Sequence, residues 1–518
     1  MVAVSPITVG QFKSSYYDVA RSLLRSRNTQ ARRARVRTMQ VQRAREDIGR
    51  LIREQLDAER QLQEARMRVA ELRVENDRLR KEPVRLPDDP PLPFHSYGAR
   101  MISLCVNLAV AIGLRPAESA LRIVFDALGI EEKIPDWTSI RTWLCRFGVA
   151  TLEEPVEAAD DWVWMADHSN QIGAEKVLVI LGIRVSRMPE RGQAIRHQDV
   201  RVLAVIPGVQ WKREDVAREY KALAERIGEP MVLLTDGAVE LRESAAVLEK
   251  AGKSVIQLRD FKHYAANILK KIVGKDERFE KFLHQIGRTR SAIQQTELAH
   301  FTPPPQKSKA RFMNLADTLR WAEMVLWHLS HPGSVGRQNI TAERMNEKLG
   351  WLRHFREDIP RWSRCQAMVS ASLTFINEQG LYVGAAEDLK AVLAELKHPS
   401  SANCQASQQM VDELLTFAAE SAKQLDEGMR VPQSTEILES SFGLYKTLEK
   451  QHSKGGFTGL LSALPGLLRR STPALIRESF ARVSVKRMRQ WIKETLGATL
   501  GSKRQTAYRE YAINPSGQ

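Results

Sequence analysis

The chain has 518 residues, more than one hydrophobic core usually organises, so two to four domains are expected. Hydrophobic residues make up 43% and charged residues 27%, the balance of an ordinary water-soluble protein. The net charge of +16 predicts binding to a polyanion, and nucleic acid is the commonest one inside a cell. No apolar run is long enough to cross a bilayer, which excludes a membrane-spanning protein and predicts no membrane partner.

The cysteines predict a reducing environment. Cys105, Cys145, Cys365 and Cys404 are scattered, without the short spacing of a zinc knuckle or a redox motif. The first residues contain no apolar segment typical of a secretory leader. We therefore expect a soluble protein of the cytoplasm.

Residues 1–40 are interpreted as a basic N-terminal arm. Seven arginines and no acidic residue lie between Arg21 and Arg37. Like charges at this density repel each other unless a polyanion neutralises them. The segment is either a flexible solvated arm or a contact for the phosphate backbone of DNA.

Residues 41–82 have the heptad pattern of a coiled coil. Val41, Ile48, Leu62 and Val69 recur at one core position, and Asn76 continues the same series. A buried asparagine at such a position costs stability but favours a parallel dimer in one register. The pattern predicts a homodimer or higher homo-oligomer, and an intramolecular helical hairpin is the alternative.

A proline-rich linker, residues 83–96, precedes a helical region, residues 97–154, that is interpreted as a helix-turn-helix DNA-binding domain. Its last helix begins at Trp137, with Thr138 or Ser139 as the expected cap. Arg141 and Arg146 are expected on an exposed face that contacts DNA in the major groove. Generic helical bundles give the same pattern.

Residues 155–273 change to an α/β pattern. Three strand-like runs come first, and strands and helices then alternate, including a helix expected from Ala238 to Ala251. This order predicts a mixed sheet, with the early strands as a meander. Helices are predicted across residues 274–430, the α/β module resumes over 431–460, and residues 461–518 form a basic, helical C-terminal region that offers a second candidate DNA surface.

Two aspartates follow apolar strands. Asp167 ends the run VWMAD, and Asp236 ends VLLTD before Gly237. A carboxylate at a strand end lies at the rim of a sheet, where ligands usually bind. Either aspartate alone is better explained as a turn or a cap, but two of them in one sheet favour a shared site.

The third acid is expected in the segment STEILESSFGLYK. Glu439 and Glu436 lie three residues apart and therefore share one helix face. Lys446 follows Glu439 by two helical turns, near enough to the same stripe to hold a DNA phosphate. An exposed helix with an ordinary Glu–Lys face is the alternative.

This order of elements resembles the RNase H-like DDE transposases of bacterial insertion sequences. Glu439-Ser440, with Phe442 and Lys446, is similar to the E-S-x-F context and E-x6-K spacing around the last acid of that family. Asp260 and His263 are similar to its C/D-x-x-H element, in which the histidine contacts DNA. The resemblance favours Glu439 over Glu436 as the third acid.

The resemblance implies an enzyme that cleaves transposon ends and joins them to target DNA. Its catalytic and metal-binding residues would be Asp167, Asp236 and Glu439, acting with two Mg²⁺ ions, for which Mn²⁺ may substitute. The expected partner is double-stranded DNA, and the expected location is the bacterial cytoplasm, associated with the nucleoid. The alternatives are a non-catalytic DNA-binding regulator with a zipper-like dimerisation region and an RNase H-like nuclease that cleaves without joining.

Overall fold

The computed structural model describes residues 16–81, 88–169, 175–250, 253–306, 312, 315–331, 340–396, 405–452, 458–497 and 500–513. The chain divides into two compact units, which are described separately. The first comprises Met1–Leu86 with Leu128–Ile130, and the second comprises Pro87–Ala127 with Glu131–Gln518. Among the described residues, no helix has the length and apolar character needed to cross a membrane.

One continuous helix, α1 (Tyr16–Lys81), accounts for the described part of residues 1–86 in the first unit. It contains no proline, and pairs such as Arg60–Glu64 (3.2 Å) link successive turns, each adding a few tenths of a kcal/mol. Residues 16–40, expected as an arm, are therefore helical and continue directly into the heptad segment. Their arginine side chains are exposed.

Three helices begin the second unit: α2 (Ala99–Ile112), α3 (Leu114–Leu128) and α4 (Trp137–Leu152). Asp89 caps α2 by accepting hydrogen bonds from the backbone N–H groups of Arg100 (3.0 Å) and Met101 (2.8 Å). The cap of α4 is Asp136, which accepts from the amides of Thr138 and Ser139, so the expectation that one of those two residues caps the helix is wrong.

The centre of the second unit is a five-stranded sheet. Its strands are β1 (Trp162–His168), β2 (Lys176–Arg184), β3 (Arg201–Gly208), β4 (Val232–Thr235) and β7 (Ile256–Arg259). The strand order is β3-β2-β1-β4-β7. The pairs β1–β2 and β2–β3 are antiparallel, whereas β1–β4 and β4–β7 are parallel. The predicted mixed sheet and early meander are confirmed.

One face of the sheet is covered by α5 (Arg213–Ile227). Trp164 and Leu233 from the sheet pack with Tyr220 and Val216 from α5 in a shared core. The helix expected from Ala238 to Ala251 is largely absent: α6 (Val239–Glu243) is followed by a 3-10 turn and a short hairpin, β5 (Glu249–Lys250) with β6 (Lys253–Ser254). α7 (Phe261–Ile272) follows β7.

A large helical region follows α7, as predicted. It consists of α8 (Glu277–Ile293), α9 (Leu315–Ser330), α10 (Ala342–Leu349), α11 (Asp358–Gln379), α12 (Ala385–Glu395) and α13 (Gln405–Ala422). Two short strands, β8 (Leu381–Tyr382) and β9 (Arg430–Val431), pair across it. The chain then returns to the sheet with α14 (Glu436–His452).

The C-terminal region packs on α4. Its helices are α15 (Leu464–Leu467), α16 (Pro473–Arg482), α17 (Val485–Trp491) and α18 (Leu500–Ile513), with a π-helical turn at Ile492–Leu496. Contacts from α15, α16 and α17 bury residues 143–151 of α4. Helix α4 is therefore not an exposed recognition helix.

Candidate active site at the rim of the sheet

Strand pairing brings three aspartates to one edge of the sheet. The last paired residues of β1, β4 and β7 are Ala166, Thr235 and Arg259, in register with one another. One step further, the same register places Asp167 beside Asp236 and Asp236 beside Asp260. Because side chains alternate along a strand, all three project from the face opposite Trp164 and Leu233.

A tight turn orients Asp236. Its Oδ1 accepts a hydrogen bond from the backbone N–H of Ala238 at 2.7 Å. Gly237 between them has φ of +92°, and a Cβ there would meet the Arg259 side chain at 2.8 Å. Glycine is thus required for both the backbone conformation and the close approach.

The environment of Asp167 opposes its ionisation. Burial and, to a smaller extent, the negative charge of Asp236 raise the pKa of Asp167 to about 7, although the charge of His263 acts in the opposite direction. Two carboxylates that repel each other in a poorly hydrated position are stabilised by a cation between them. Asp167 and Asp236, predicted from separate strand ends, are therefore electrostatically coupled.

Asp260 is fully buried and joins the two parts of the chain on either side of the helical region. It accepts hydrogen bonds from the backbone N–H of Thr435 (2.7 Å) and from the Thr435 hydroxyl, just before α14. It also accepts from the backbone N–H of His263 at 3.0 Å. Burial alone would raise the pKa of Asp260, but these bonds and the His263 charge hold it below its usual value.

His263 lies on the first turn of α7, with its Nδ1 3.5 Å from Oδ2 of Asp260. Its interaction with Asp260 raises the pKa of His263 to about 9, despite the opposing effect of burial, and the charges of Glu439 and Asp236 contribute in the same direction. At neutral pH the ring is a cation beside the candidate acids. This is a suitable group for contacting a phosphate.

Both candidate third acids lie in the first turn of α14, and Lys262 binds both. Lys262 Nζ is 2.8 Å from Glu439 Oε2 and 3.0 Å from Glu436 Oε1. Burial alone would lower the pKa of Lys262, but its bonds to the two glutamates raise it. Glu436 also accepts a hydrogen bond from Asn377 Nδ2 at 2.6 Å. Glu436 is thus held by two partners. The charge of Glu439 contributes to the raised pKa of His263, and Glu436 is not among the main contributing charges.

The donor set is suited to a hard divalent cation. Asp167, Asp236 and Glu439 offer only carboxylate oxygens, which Mg²⁺ and Mn²⁺ prefer. In the described part of the chain, however, no group of three or more His, Cys, Asp or Glu side chains is already arranged to hold a metal. Asp167 and Asp236 interact electrostatically, whereas Glu439 is paired with Lys262.

Of the predicted DNA contacts, Arg146 is misplaced. Its side chain is 7% exposed and donates to the carbonyl oxygens of Val483 (2.5 Å) and Phe480 (2.6 Å). Its guanidinium also stacks on the Phe480 ring at 4.0 Å and lies 2.7 Å from His95 Nε2. The prediction that Arg146 lies on an exposed DNA-binding face is wrong, because this arginine cross-links α4 to the C-terminal helices.

The other two predicted basic contacts are only partly accessible. Arg141 is half-buried on α4, and its Nε is buried without a hydrogen-bond partner. Lys446 is half-buried on α14, seven residues after Glu439, where its charge acts on Glu449. Neither lies on an open surface of the kind that the sequence pattern predicted.

The basic C-terminal region also uses much of its charge internally. Arg469 pairs with Glu154, and Arg487 pairs with Glu153 and Glu494. Trp491, in the predicted second DNA surface, is 7% exposed. Tyr508 on α18 is exposed, so α18 is more accessible for contact with a partner than the helices before it.

Sequence reasoning assigned no catalytic part to Asp260 and did not consider Lys262. Asp260 follows an apolar strand, as Asp167 and Asp236 do, so the same strand-end argument would have included it. Lys262 carried no comparable signal, since its partners lie more than 170 residues away.

Comparisons with known proteins give little further information. No protein-family model and no curated protein matches the chain. Among solved structures, it is similar to the Drosophila P element transposase strand transfer complex, with a TM-score of 0.36 and 10% sequence identity. The match covers 74% of this chain and 91% of that chain. At this TM-score the similarity does not establish a shared fold or activity.

Proposed function

We propose that this chain is a DDE-type transposase, a metal-dependent enzyme that cleaves DNA and joins the ends to a target. The observation that carries the proposal is the register that sets Asp167 beside Asp236 at the carboxyl ends of two adjacent parallel strands. The raised pKa of Asp167 supports it, because a charge-balancing cation is what this pair lacks.

The topology supports an RNase H-like core. Counting only the strands of the sheet, the order is 3-2-1-4-5, with the second strand antiparallel to the rest. This is the arrangement implied by the resemblance to RNase H-like transposases. The hydrogen bond between Asp260, after β7, and Thr435, before α14, supports the view that the segments on either side of the helical region belong to one module.

Asp167 and Asp236 are the residues that would hold a divalent metal, with Glu439 as the third ligand. When bound, two such ions activate the attacking oxygen and stabilise the leaving oxygen of a phosphodiester. His263, cationic at neutral pH, holds a phosphate of the DNA near these acids. Lys262 pairs with Glu439, and it would have to release this glutamate for Glu439 to hold a metal.

The basic helix α1 is the proposed site of DNA contact and self-association. Its exposed arginines between Arg21 and Arg37 neutralise backbone phosphates. In its second half, the heptad residues Val41, Ile48 and Leu62 are 51–55% exposed, as expected of a surface that a second copy covers. Such a dimer brings two DNA ends into one complex.

The decisive experiment incubates the full chain with Mg²⁺ and DNA carrying the sequences that flank its gene. Cleavage followed by joining is the expected result, and single alanine changes at Asp167, Asp236 and Glu439 should abolish both. Cleavage without joining would assign the chain to the nuclease alternative. Activity that survives all three changes would sink the proposal.

A further inference from the structure

A cavity of about 320 Å³ lies directly behind the candidate site. Glu436 and Ser440 of α14 form part of its wall, so it shares a helix with Glu439. Its volume is at the lower end of small-molecule sites, roughly 300–1,000 Å³. The helical region and the segment after β2 supply the other walls.

Gln433 has an unusual position in this cavity. Its side chain is 0% exposed, yet neither its amide nitrogen nor its amide oxygen has a hydrogen-bond partner. A buried amide without partners costs on the order of 1–3 kcal/mol per group, so such a residue is seldom kept for stability alone. A ligand with one donor next to one acceptor would satisfy both atoms once the side chain turns toward the cavity, because neither atom has accessible surface in its present orientation.

The remaining lining is apolar on the walls and cationic at two points. Met188, Ile195 and Ile437 supply apolar contacts, and Arg196 and Arg430 supply guanidinium groups. The one carboxylate among the described lining residues, Glu436, is paired with Lys262. The guanidinium of Arg430 donates to the backbone carbonyls of Gln379 (3.3 Å) and Pro189. Burial and the nearby charge of Arg191 lower the pKa of Arg430.

We propose that this cavity binds one nucleotide unit, with its base against Gln433 and its phosphate at Arg196 and Arg430. Each nucleobase presents a donor beside an acceptor on its Watson–Crick edge, which matches a single amide. Apolar walls are what extruded bases meet in enzymes that take a base out of the stack. This inference rests on the proposed function, since the adjacent acids would act on the strand that supplies the nucleotide.

The nucleotide has two possible sources, an extrahelical base of the bound DNA or a free nucleotide. The first probe is a duplex with one unpaired 2-aminopurine, whose fluorescence reports unstacking, tested against the same duplex with an abasic residue. The second probe is deoxyadenosine monophosphate. Both are measured with the full chain in EDTA, where no metal-dependent cleavage occurs.

The test variant is Gln433→Met, and the matched control is Gln366→Met, which alters another buried glutamine with an unsatisfied amide oxygen outside the cavity. Gln433→Met should weaken binding of the base-containing probe by about 10- to 100-fold and remove its advantage over the abasic duplex. Gln366→Met should leave both unchanged. The melting temperature of Gln433→Met should not fall, because two unsatisfied buried groups are removed.

Arg196→Ala provides a second variant if Gln433→Met does not fold, since Arg196 is exposed. It should weaken binding and reduce the dependence on salt, whereas Arg218→Ala on α5 should not. Competition by the free nucleotide would identify that source, and its absence would identify the DNA base. Equal binding of both probes by the two glutamine variants would overturn the inference. Asp167→Asn tests the proposed function separately, because it should abolish cleavage while retaining the bound base.

Discussion

The three candidate acids are held in two different ways. Asp167 and Asp236 are positioned by strand pairing, in which each backbone hydrogen bond fixes the next residue. Glu439 is positioned by a helix that returns to the sheet after a long helical region and is tied to Lys262. The first arrangement is set by the sheet, and the second depends on a salt bridge that the proposed metal would have to replace.

The two parts of the site differ in the electrostatic repulsion that they carry in the free protein. The aspartates are close together before any ligand arrives, so they carry an electrostatic penalty in the free protein. Glu439 is paired with Lys262, which it shares with Glu436. We therefore expect substitutions on the sheet to relieve the repulsion between Asp167 and Asp236. Substitutions around α14 are expected to act through the salt bridge between Lys262 and Glu439.

The largest expected effect comes from the sheet. Asp167→Asn and Asp236→Asn should each reduce Mg²⁺-dependent cleavage by roughly 1,000-fold or more, because each removes a ligand of the shared cation. Single-turnover cleavage of a labelled end sequence measures this. Asp199→Asn, which changes the cap of a short turn, is the control and should retain activity.

Asp260→Ala should disrupt the connection between sheet and helix. It leaves the Thr435 amide and the cationic His263 without their buried partner, so the free energy of unfolding should fall by about 3 kcal/mol. Chemical denaturation measures the change. A loss below about 0.5 kcal/mol would show that α14 is held by other contacts.

The two glutamates should differ in effect. Glu439→Gln should reduce cleavage by about 100-fold, because a metal ligand is lost, whereas Glu436→Gln should reduce it by less than about 5-fold. Both changes remove one bond to Lys262, so each serves as the control for the other. The reverse order of effects would assign the third ligand to Glu436.

The repulsion on the sheet should also appear as a pH dependence. The pKa of Asp167 is raised from 3.8 to about 7 in the folded state. The contribution of this group to the free energy of unfolding is therefore greatest below pH 3.8 and is lost as the pH rises toward 7. The loss should be roughly 2 kcal/mol, since Asp167 keeps some contact with water. In metal-free buffer, Asp167→Asn should lack this component, and thermal unfolding of the two proteins at pH 5 and pH 7.5 compares them. Identical pH profiles would contradict it.

The smallest effect is expected at Lys262. Lys262→Met frees Glu439 from its salt bridge, so Mn²⁺ should bind about 5-fold more tightly to the metal-free protein. Calorimetric titration measures this without any DNA. Lys271→Met, which breaks an exposed pair with Glu413, is the matched control. Weaker metal binding by Lys262→Met would mean that the lysine supports the site instead of blocking it.

The sheet could be predicted from the sequence because its signals are local. Runs of apolar and β-branched residues mark all five strands, and Asp167 and Asp236 stand at their ends. The register between β1 and β4 was not visible, because it depends on which strands become neighbours. The length of the helix at Val239–Glu243 was overestimated. The apolar residues after it fit a helical spacing, but the chain there forms a short hairpin.

The errors on basic residues have one physical cause. An arginine looks the same in a sequence whether it faces DNA or backbone carbonyls, and the partners of Arg146 lie more than 330 residues away. The same holds for Asp260, whose burial depends on Thr435. The arginines between Arg21 and Arg37 differ because no acid lies among them in the chain, and they are exposed along one uninterrupted helix.

The late return of α14 has a consequence for protein synthesis. The strands that carry Asp167 and Asp236 leave the ribosome first, but the helix that carries Glu439 emerges only after the whole helical region has been translated. A nascent or prematurely terminated chain therefore presents two acids without the third. Under the proposed function, such a chain would bind DNA through α1 without a complete catalytic site.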